Sequence, residues 1–264
     1  MGLAKAFGAL TLLFALSACG RDAALDRLPG GRQAAAVQAI SGDLVLLAGE
    51  ERVRLAGIEA PAADQPYGAQ SQAALHGLIA DRKVELLFGG ARQDPFGRTA
   101  AQLRRTDDRL WIEGAMLRSG AARVRTFPDN RALAELMLTE EARARIAGKG
   151  LWALPAYRVL LPGEVPPDAD GFHIVEGRVL RVNRAAGRTY LDFARDWRGA
   201  FSADIAPAAM REFALAQIDP LTLEGKLVRI RGSVRPTGNG PRMRLDHPEQ
   251  VERLNEPKSK TPGG

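Results

Sequence analysis

The sequence predicts a β-rich α+β protein built from two tandem OB-fold-like barrels, the first with three helices and the second with one short helix. Strand-like alternation of apolar and polar residues occurs in both halves of the 264-residue chain. Each half contains three strands, a helix and two strands in that order, which is the order of an OB-type barrel. A proline-rich segment separates the halves, and the length suits two small domains.

The N-terminal residues predict an export signal followed by a tether. Residues 1–18 read as a signal peptide, with one basic residue, Lys5, and an apolar run too short to span a bilayer. The run ends in Leu-Ser-Ala-Cys-Gly, which resembles a bacterial lipobox. We therefore expect Cys19 to be acylated and residues 19–34 to form a lipid-anchored tether to the membrane. An ordinary cleaved signal with a chance cysteine is the alternative.

The residue after the cysteine also bears on localisation. Gly20 follows Cys19 where an aspartate would, under the usual bacterial sorting rule, retain a lipoprotein in the inner membrane. The sequence therefore predicts a lipid-anchored protein of the bacterial cell envelope, with the outer membrane favoured over the inner. Cys19 is the only cysteine, so no disulfide is expected.

The first barrel is predicted over residues 35–155. Apolar alternation indicates five strands, at 36–40, 44–48, 52–58, 83–88 and 98–104. Amphipathic patterns indicate three helices, at 67–80, 110–119 and 130–146. In the third strand, Val53, Leu55 and Gly57 share one face and Arg54 lies on the other.

The second barrel is predicted over residues 171–254, after a proline-rich linker at 156–170. Its strands are expected at 172–182, 189–193, 200–205, 227–235 and 242–245, with a short helix at 207–217. The remaining residues, 255–264, are expected to be disordered. Four aromatic residues cluster near two arginines and would suit stacking of nucleic-acid bases, although such sets also belong to cores: Tyr190, Phe193, Trp197 and Phe201.

Four motifs in the first half occur in a fixed order: Ser41-Gly42-Asp43, then Arg54 to Pro61 (RLAGIEAP), then Asp94-Pro95-Phe96-Gly97-Arg98, then Gly150-Leu151-Trp152. Together they resemble the staphylococcal nuclease (thermonuclease-like) family over roughly residues 36–155. The resemblance implies a five-stranded OB barrel with three helices. It also implies calcium-dependent cleavage of phosphodiester bonds in DNA or RNA.

The resemblance assigns the metal ligands. Asp43 and Glu59 occupy the positions of two metal-binding aspartates, and the backbone carbonyl of Ala60 would assist them. Calcium takes six to eight oxygen ligands in loose geometry, so two carboxylates, a carbonyl, waters and a phosphate would suffice. The alternatives are a turn-forming aspartate and a solvated loop glutamate.

The resemblance also assigns two phosphate-binding arginines, Arg54 and Arg98. A guanidinium can bind two phosphate oxygens and neutralise charge as the transition state forms. The alternative is a pair of surface arginines. We expect these two side chains to converge with Asp43 and Glu59 on one point.

One position departs from the family. Ala62 stands where the family carries its catalytic glutamate, and loss of a general base costs on the order of 10²–10⁴ in rate. Asp64 would substitute only if its loop folds inward. Two hypotheses therefore remain: a weak, calcium-dependent endonuclease anchored in the envelope, and a catalytically inactive nuclease-fold lipoprotein that binds or acts as a scaffold.

Other chemistries are poorly supported. The three histidines, His76, His173 and His247, lack the spacing of a zinc site. The chain contains no G-x-S-x-G element. The formal net charge of +6 does not by itself indicate nucleic acid, since basic and acidic residues are spread over both halves.

Overall fold

A computed structural model of the chain describes residues 21–255, so the predicted signal peptide, Cys19 and residues 256–264 lie outside the described residues. The chain divides into two compact units between Ala153 and Leu154. Both units are rich in strands and contain few helices, as the sequence predicts. Within the described part, no helix has the length and apolar character that crossing a membrane requires.

The first unit contains a closed five-stranded barrel with the strand order β1-β2-β3-β6-β5. Strands β3 and β6 are parallel, and the other neighbours are antiparallel. Two further short strands, β4 and β7, form a separate two-stranded sheet. The strands of this unit are β1 (Gly30–Ser41), β2 (Leu44–Leu47), β3 (Arg52–Leu55), β4 (Ile58–Glu59), β5 (Lys83–Leu87), β6 (Thr99–Arg105) and β7 (Arg123–Val124).

Three helices pack around this barrel: α1 (Gly68–Ile79), α2 (Ile112–Ser119) and α3 (Ala134–Ile146). Leu75 and Ile79 of α1 are completely buried, because helical spacing brings both onto the face that covers the barrel. The third helix starts later than predicted. Asn130 forms β-bridges with Gly90 and Phe127, so its backbone is extended rather than helical.

The predicted tether is partly wrong. Residues 21–26 are helical, and Leu25 of this turn is completely buried in the core of the first unit. β1 already begins at Gly30 and pairs there with Leu87 of β5. Asp26 pairs with Arg104 of the barrel at 2.6 Å. Burial of Leu25 offsets the cost of ordering this short polar segment.

One acidic residue lies inside this unit without a cation beside it. Glu113 of α2 is completely buried, and its two carboxylate oxygens accept the N–H of Leu103 at 3.0 and 3.1 Å. Burial raises the pKa of Glu113 well above its usual value, because the charged form loses its hydration. Between the unfolded and the raised folded-state pKa, the folded state therefore holds a proton that the unfolded state has released.

This pKa predicts a pH dependence of stability. The stabilisation is complete below the pKa of an exposed glutamate, about 4.3, and is lost as pH rises through the raised folded-state pKa. We expect Glu113→Gln to flatten this decline in the melting temperature, because the neutral amide keeps an acceptor for Leu103. Glu135→Gln, at an exposed position of α3, is the matched control and should leave the profile unchanged. An unaltered slope in Glu113→Gln would contradict the prediction.

Over residues 154–255, the second unit contains a seven-stranded sheet and one α-helix, α4 (Pro207–Leu215). The order is β14-β12-β13-β11-β10-β9, and β8 also pairs with β12. The β11 and β13 pair is parallel, as is the β3 and β6 pair of the first unit. These strands are β8 (Gly171–Arg178), β9 (Arg181–Ala185), β10 (Arg188–Asp192), β11 (Ser202–Ile205), β12 (Leu227–Arg235), β13 (Arg242–Leu245) and β14 (Val251–Arg253).

The predicted linker at 156–170 is not a spacer. Val165 and Ala169 are buried in the core of the second unit, and Leu160 packs against that core. Leu160 also forms a parallel β-bridge with Val175 of β8. Short 3-10 turns at Pro155–Tyr157 and Pro162–Glu164 each begin with a proline, which suits the first position of such a turn. This segment therefore belongs to the second unit.

Candidate functional site

The first motif forms the turn that joins β1 and β2. A Cβ atom at Gly42 would lie 2.0 Å from Ser71 Oγ and 2.6 Å from the Cβ of Ala60. Ser71 is completely buried and donates its hydroxyl to the carbonyl of Ala121. The turn therefore packs against α1, which requires glycine at this position and fixes the direction of the next residue, Asp43.

Asp43 is buried and fully engaged within the protein. Its Oδ1 accepts the hydroxyl of Ser41 at 2.8 Å, and its Oδ2 accepts the N–H of Ala60 at 2.7 Å. Arg54 Nη2 lies 3.0 Å from the same Oδ2. The structure thus brings together three of the predicted site residues, Asp43, Arg54 and Ala60. Asp43 is bonded to the other two rather than open to a ligand.

Arg54 projects from β3 and turns back onto the barrel. Its Nη1 donates to the carbonyl of Leu55 at 2.9 Å and to that of Asp43 at 3.4 Å. The side chain is about four-fifths buried, with 19% of it exposed. Together with the ion pair to Asp43, these bonds use the guanidinium as a brace between β3 and the 41–43 turn.

Glu59 lies on β4, and two arginines that sequence reasoning missed come from β7 and from the residue directly after it. Ile58 pairs with Val124 and Glu59 with Arg123 in an antiparallel ladder. Arg123 Nη2 lies 3.4 Å from Glu59 Oε2, and Arg125 Nη1 pairs with Glu59 Oε1. The signal in the sequence was the alternation Arg-Val-Arg at 123–125, which places both arginines on one face of a short strand.

Arg98 follows the turn at 94–97 and forms its ion pair with Asp94 of that turn. Its Nε donates to Asp94 Oδ2 at 2.6 Å, and its guanidinium lies 5.1 Å from the ring centre of Phe96. Burial opposes ionisation of Asp94, but the N–H of Arg98 and its guanidinium lower the pKa of this carboxyl below its usual value. The four predicted side chains thus take part in three ion-pair groups: Asp43 with Arg54, Glu59 with Arg125, and Arg98 with Asp94. Their convergence on one point stays a prediction.

The loop after Pro61 contains no substitute base near the ion pairs. Ala62 is exposed, and its N–H donates to Gln65 Oε1 at 3.0 Å while its carbonyl accepts the N–H of Gln65. This turn leaves Asp64 exposed, and none of the residues from 21 to 255 forms a hydrogen bond or ion pair with its side chain.

A groove of about 620 Å³ lies in the first unit. Thr99, the residue after Arg98, lines this groove and donates its hydroxyl to Glu51 at 2.7 Å. Its lining does not include Asp43, Arg54, Glu59 or Arg98 but comprises Arg32, Glu51, Leu86, Phe88, Ala91, Arg92, Gln93 and Thr99.

Comparison with known proteins places the first unit among nuclease-type domains. Residues 52–154 match the family described as staphylococcal nuclease homologue. The chain is 34% identical over 109 residues to the probable staphylococcal-like nuclease CAN2 of Oryza sativa subsp. japonica, and 33% identical over 109 residues to CAN3 of the same plant. The first unit carries a nuclease-like domain.

These relatives are longer proteins. The matched stretch is 41% of this chain and 27% of CAN2 or CAN3, so the chain spans about a quarter of the length of these relatives. The family match begins at Arg52. It includes Arg54, Glu59 and Arg98 of the nuclease-like domain, and Asp43 precedes it.

Calcium is the cation that the family resemblance implies, and the donors around Asp43 and Glu59 do not fit it. Calcium needs six to eight oxygen ligands, whereas the oxygens of both carboxylates already accept bonds from guanidinium, hydroxyl or N–H groups. A cation would have to displace positively charged groups to reach either acid. Within residues 21–255, no three His, Cys, Asp or Glu side chains are grouped so that they could hold a metal ion.

Proposed function

We propose that the nuclease-like domain binds single-stranded nucleic acid and does not hydrolyse it. One observation carries the proposal: arginines of the domain itself neutralise both acids expected to hold the catalytic cation, Asp43 through Arg54 and Glu59 through Arg123 and Arg125. The methyl group of Ala62 supplies no general base in place of the missing glutamate. In this proposal the cation site and the general base, both of which hydrolysis needs, are lost independently of each other.

The binding surface that we propose is the arginine–phenylalanine face, defined as Phe88, Arg92, Phe96 and Arg98. Arg92 lies 4.6 Å from the ring centre of Phe88, and Arg98 lies 5.1 Å from that of Phe96. Phe96 is 81% exposed. Within the described part of the chain, Arg92 pairs with no carboxylate, so it keeps its charge for a phosphate.

This combination suits a single strand better than a duplex. Exposed rings stack on unpaired bases, while neighbouring arginines follow the phosphates without reading sequence. A third arginine–phenylalanine pair would extend the surface, since Arg125 lies 5.5 Å from the ring centre of Phe127, which is 44% exposed. The loops are joined where the N–H of Ala91 donates to the carbonyl of Asp129 at 2.8 Å.

The test measures binding and cleavage on the same substrate. We expect the full chain to bind a fluorescein-labelled 20-nucleotide dT strand, with equal affinity in calcium and in EGTA, and to leave the strand intact on a denaturing gel. Loss of one stacking ring is worth about 1–3 kcal/mol, so Phe96→Ala should weaken binding by roughly 5- to 150-fold. Arg92→Ala should weaken it and reduce its dependence on salt.

Two control variants match these changes. Ile146 is an apolar residue, 85% exposed, at the end of α3, and Lys149 is an exposed cation that does not line the groove. Ile146→Ala and Lys149→Ala should bind the strand as the wild type does. Wild-type affinity in both Phe96→Ala and Arg92→Ala, or no binding at all by the wild type, would contradict the proposal.

The second candidate function is calcium-dependent phosphodiester hydrolysis with Asp43, Glu59 and Ala60 around the cation and Arg54 and Arg98 on the phosphate. The observation that favours it is the short link between the two acids, since Asp43 Oδ2 accepts the N–H of the residue that follows Glu59. This candidate predicts slow cleavage that calcium supports and Arg54→Ala abolishes. Cleavage in calcium, lost in EGTA, would select it over the binding module.

We also propose that the second unit is an OB-type barrel. Its strands pair in the order β9-β10-β11-β13-β12-β8. If β8 and β9 together count as the first strand, each strand has the same neighbours as the corresponding strand of the closed barrel in the first unit. β8 and β9 are separated only by residues 179 and 180, so one bent strand would join the two ends of this order.

Anchoring through Cys19 is a further proposal, supported by the lipobox-like residues 16–20. We propose that the acylated cysteine holds both units at the bacterial cell envelope, with the outer membrane favoured by Gly20. Release of the protein from the membrane fraction by Cys19→Ala would support the anchor. Unchanged membrane association of that variant would count against it.

A further inference from the structure

A second cavity, of about 290 Å³, lies in the second unit and has no role in the proposal above. Ligand sites begin at about this size, roughly 300 Å³, so the cavity suits one small group. It is lined from strands β9, β10, β11 and β13 and from two loops by Arg181, Asn183, Ala185, Tyr190, Asp192, Trp197, Ser202, Asn239 and Arg242.

The structure separates the four aromatic residues of this region into two pairs. Phe193 and Phe201 are buried, with ring centres 5.5 Å apart, and belong to the core. Tyr190 and Trp197 are only partly buried and line the cavity. Stacking is therefore available at the second pair only.

The loop that carries Trp197 is fixed in place. The N–H of Gly199 donates to the carbonyl of Asn239 at 3.0 Å, which joins this loop to the hairpin turn between β12 and β13. Arg198 lies 4.9 Å from the ring centre of Trp197. A ring held in this way can receive a planar ligand without first paying the entropy of ordering its loop.

The cavity also contains an arginine without a carboxylate partner among the residues that the structure describes. Arg242 lies 5.2 Å from the ring centre of Tyr190, and its Nε donates to Ser202 Oγ at 3.4 Å. The other lining arginine, Arg181, is neutralised by Asp192 at 2.8 Å. The charge of Arg242 is therefore left to attract an anion.

A buried acid supplies the third element. Asp192 is only 5% exposed, and its Oδ2 accepts bonds from Arg181 and from Asn183. Its Oδ1 accepts no hydrogen bond from residues 21–255, although the side chain lines the cavity. A carboxylate oxygen that lines a cavity without a donor can accept an N–H group of a ligand.

We propose that this cavity binds one nucleotide, with the base stacked on Trp197, an N–H of the base edge donated to Asp192 and the phosphate at Arg242. Tyr190 and Ser202 act as positioning residues that hold the guanidinium of Arg242. A neutral sugar would also stack on Trp197, but it would leave the charge of Arg242 unmatched. This inference does not depend on the proposed function of the first unit.

The experiment compares AMP with adenosine by isothermal titration calorimetry, using the full chain. The titration is repeated in the Arg92→Ala/Phe96→Ala double variant, in which the first unit should not contribute. We expect AMP to bind about tenfold more tightly than adenosine, and Arg242→Ala to remove that preference. Trp197→Ala should weaken both ligands about tenfold or more, and Trp197→Phe should recover part of the loss.

The controls separate stability from binding and one source of nucleotide from another. Arg211→Ala removes an exposed cation of α4 outside the cavity and should leave the AMP preference unchanged. Binding of AMP alone indicates a free nucleotide, whereas tighter binding of a dA strand than of AMP indicates a nucleic acid. The proposal fails if Arg242→Ala keeps the tenfold preference, or if the wild type binds maltotriose and not AMP. Failure of the full chain to bind the dT strand would contradict the proposal for the first unit only, and failure to bind AMP would contradict the proposal for this cavity only.

Discussion

Replacing Asp43 with alanine is expected to lower the free energy of unfolding by about 3 kcal/mol, with or without calcium. The change leaves the N–H of Ala60 without its acceptor and the largely buried Arg54 without its counter-charge. Both losses are expensive because neither group can be rehydrated in place. Urea denaturation followed by circular dichroism, in calcium and in EGTA, measures the effect.

The sign of this change separates the two functional candidates. Acids assembled for a cation repel one another while the cation is absent, so removing one of them would stabilise the protein in EGTA. Asp43→Ala as stable as the wild type or more so in EGTA would therefore contradict the ion-pair account. Asp43→Asn should be intermediate, since it keeps an acceptor for Ala60. Asp64→Ala, in the exposed loop, should change stability by less than about 0.5 kcal/mol.

Replacing Gly42 with alanine should cost about 2 kcal/mol, because the new methyl group would overlap Ser71 Oγ and the Cβ of Ala60. Neither neighbour can withdraw easily, since Ser71 is fixed by its bond to Ala121 and Ala60 by its bond to Asp43. Thermal and urea denaturation measure the loss.

A second glycine provides a control of opposite sign. Gly77 lies in α1, is exposed, and has no atom within 4 Å of the Cβ that alanine would add. Gly77→Ala should therefore stabilise the protein by about 0.5–1 kcal/mol through helix propensity. If Gly42→Ala is as stable as Gly77→Ala, the close packing of the 41–43 turn is contradicted.

The parts of the fold that the sequence predicts are those in which apolar residues recur with the period of a strand or a helix. Alternation along 52–55 correctly places Val53 and Leu55 on one face, which is buried. The amphipathic pattern at 67–80 correctly predicts a helix, which buries Leu75 and Ile79. The N-terminal turn could not be found this way. It buries a single residue, Leu25, and one apolar residue in a polar stretch has no period.

The candidate site was only partly predictable, because its ion pairs join distant parts of the chain. Glu59 is separated from Arg123 by 64 residues and from Arg125 by 66. Spacing within a motif carries no information on such a pairing, which depends on how β4 meets β7. The resemblance correctly indicates a nuclease-like domain, but only the folded geometry shows which charges neutralise each other.

The way residues 155–169 are built into the second unit bears on how the protein can be dissected. A truncation intended to isolate the nuclease-like domain belongs directly after Ala153, where the chain leaves the first unit. Cutting after Asp170 instead would carry Leu160, Val165 and Ala169 away from the hydrophobic core that they cover. The isolated downstream piece would then expose apolar surface and aggregate, and its failure to fold would be mistaken for dependence on its neighbour.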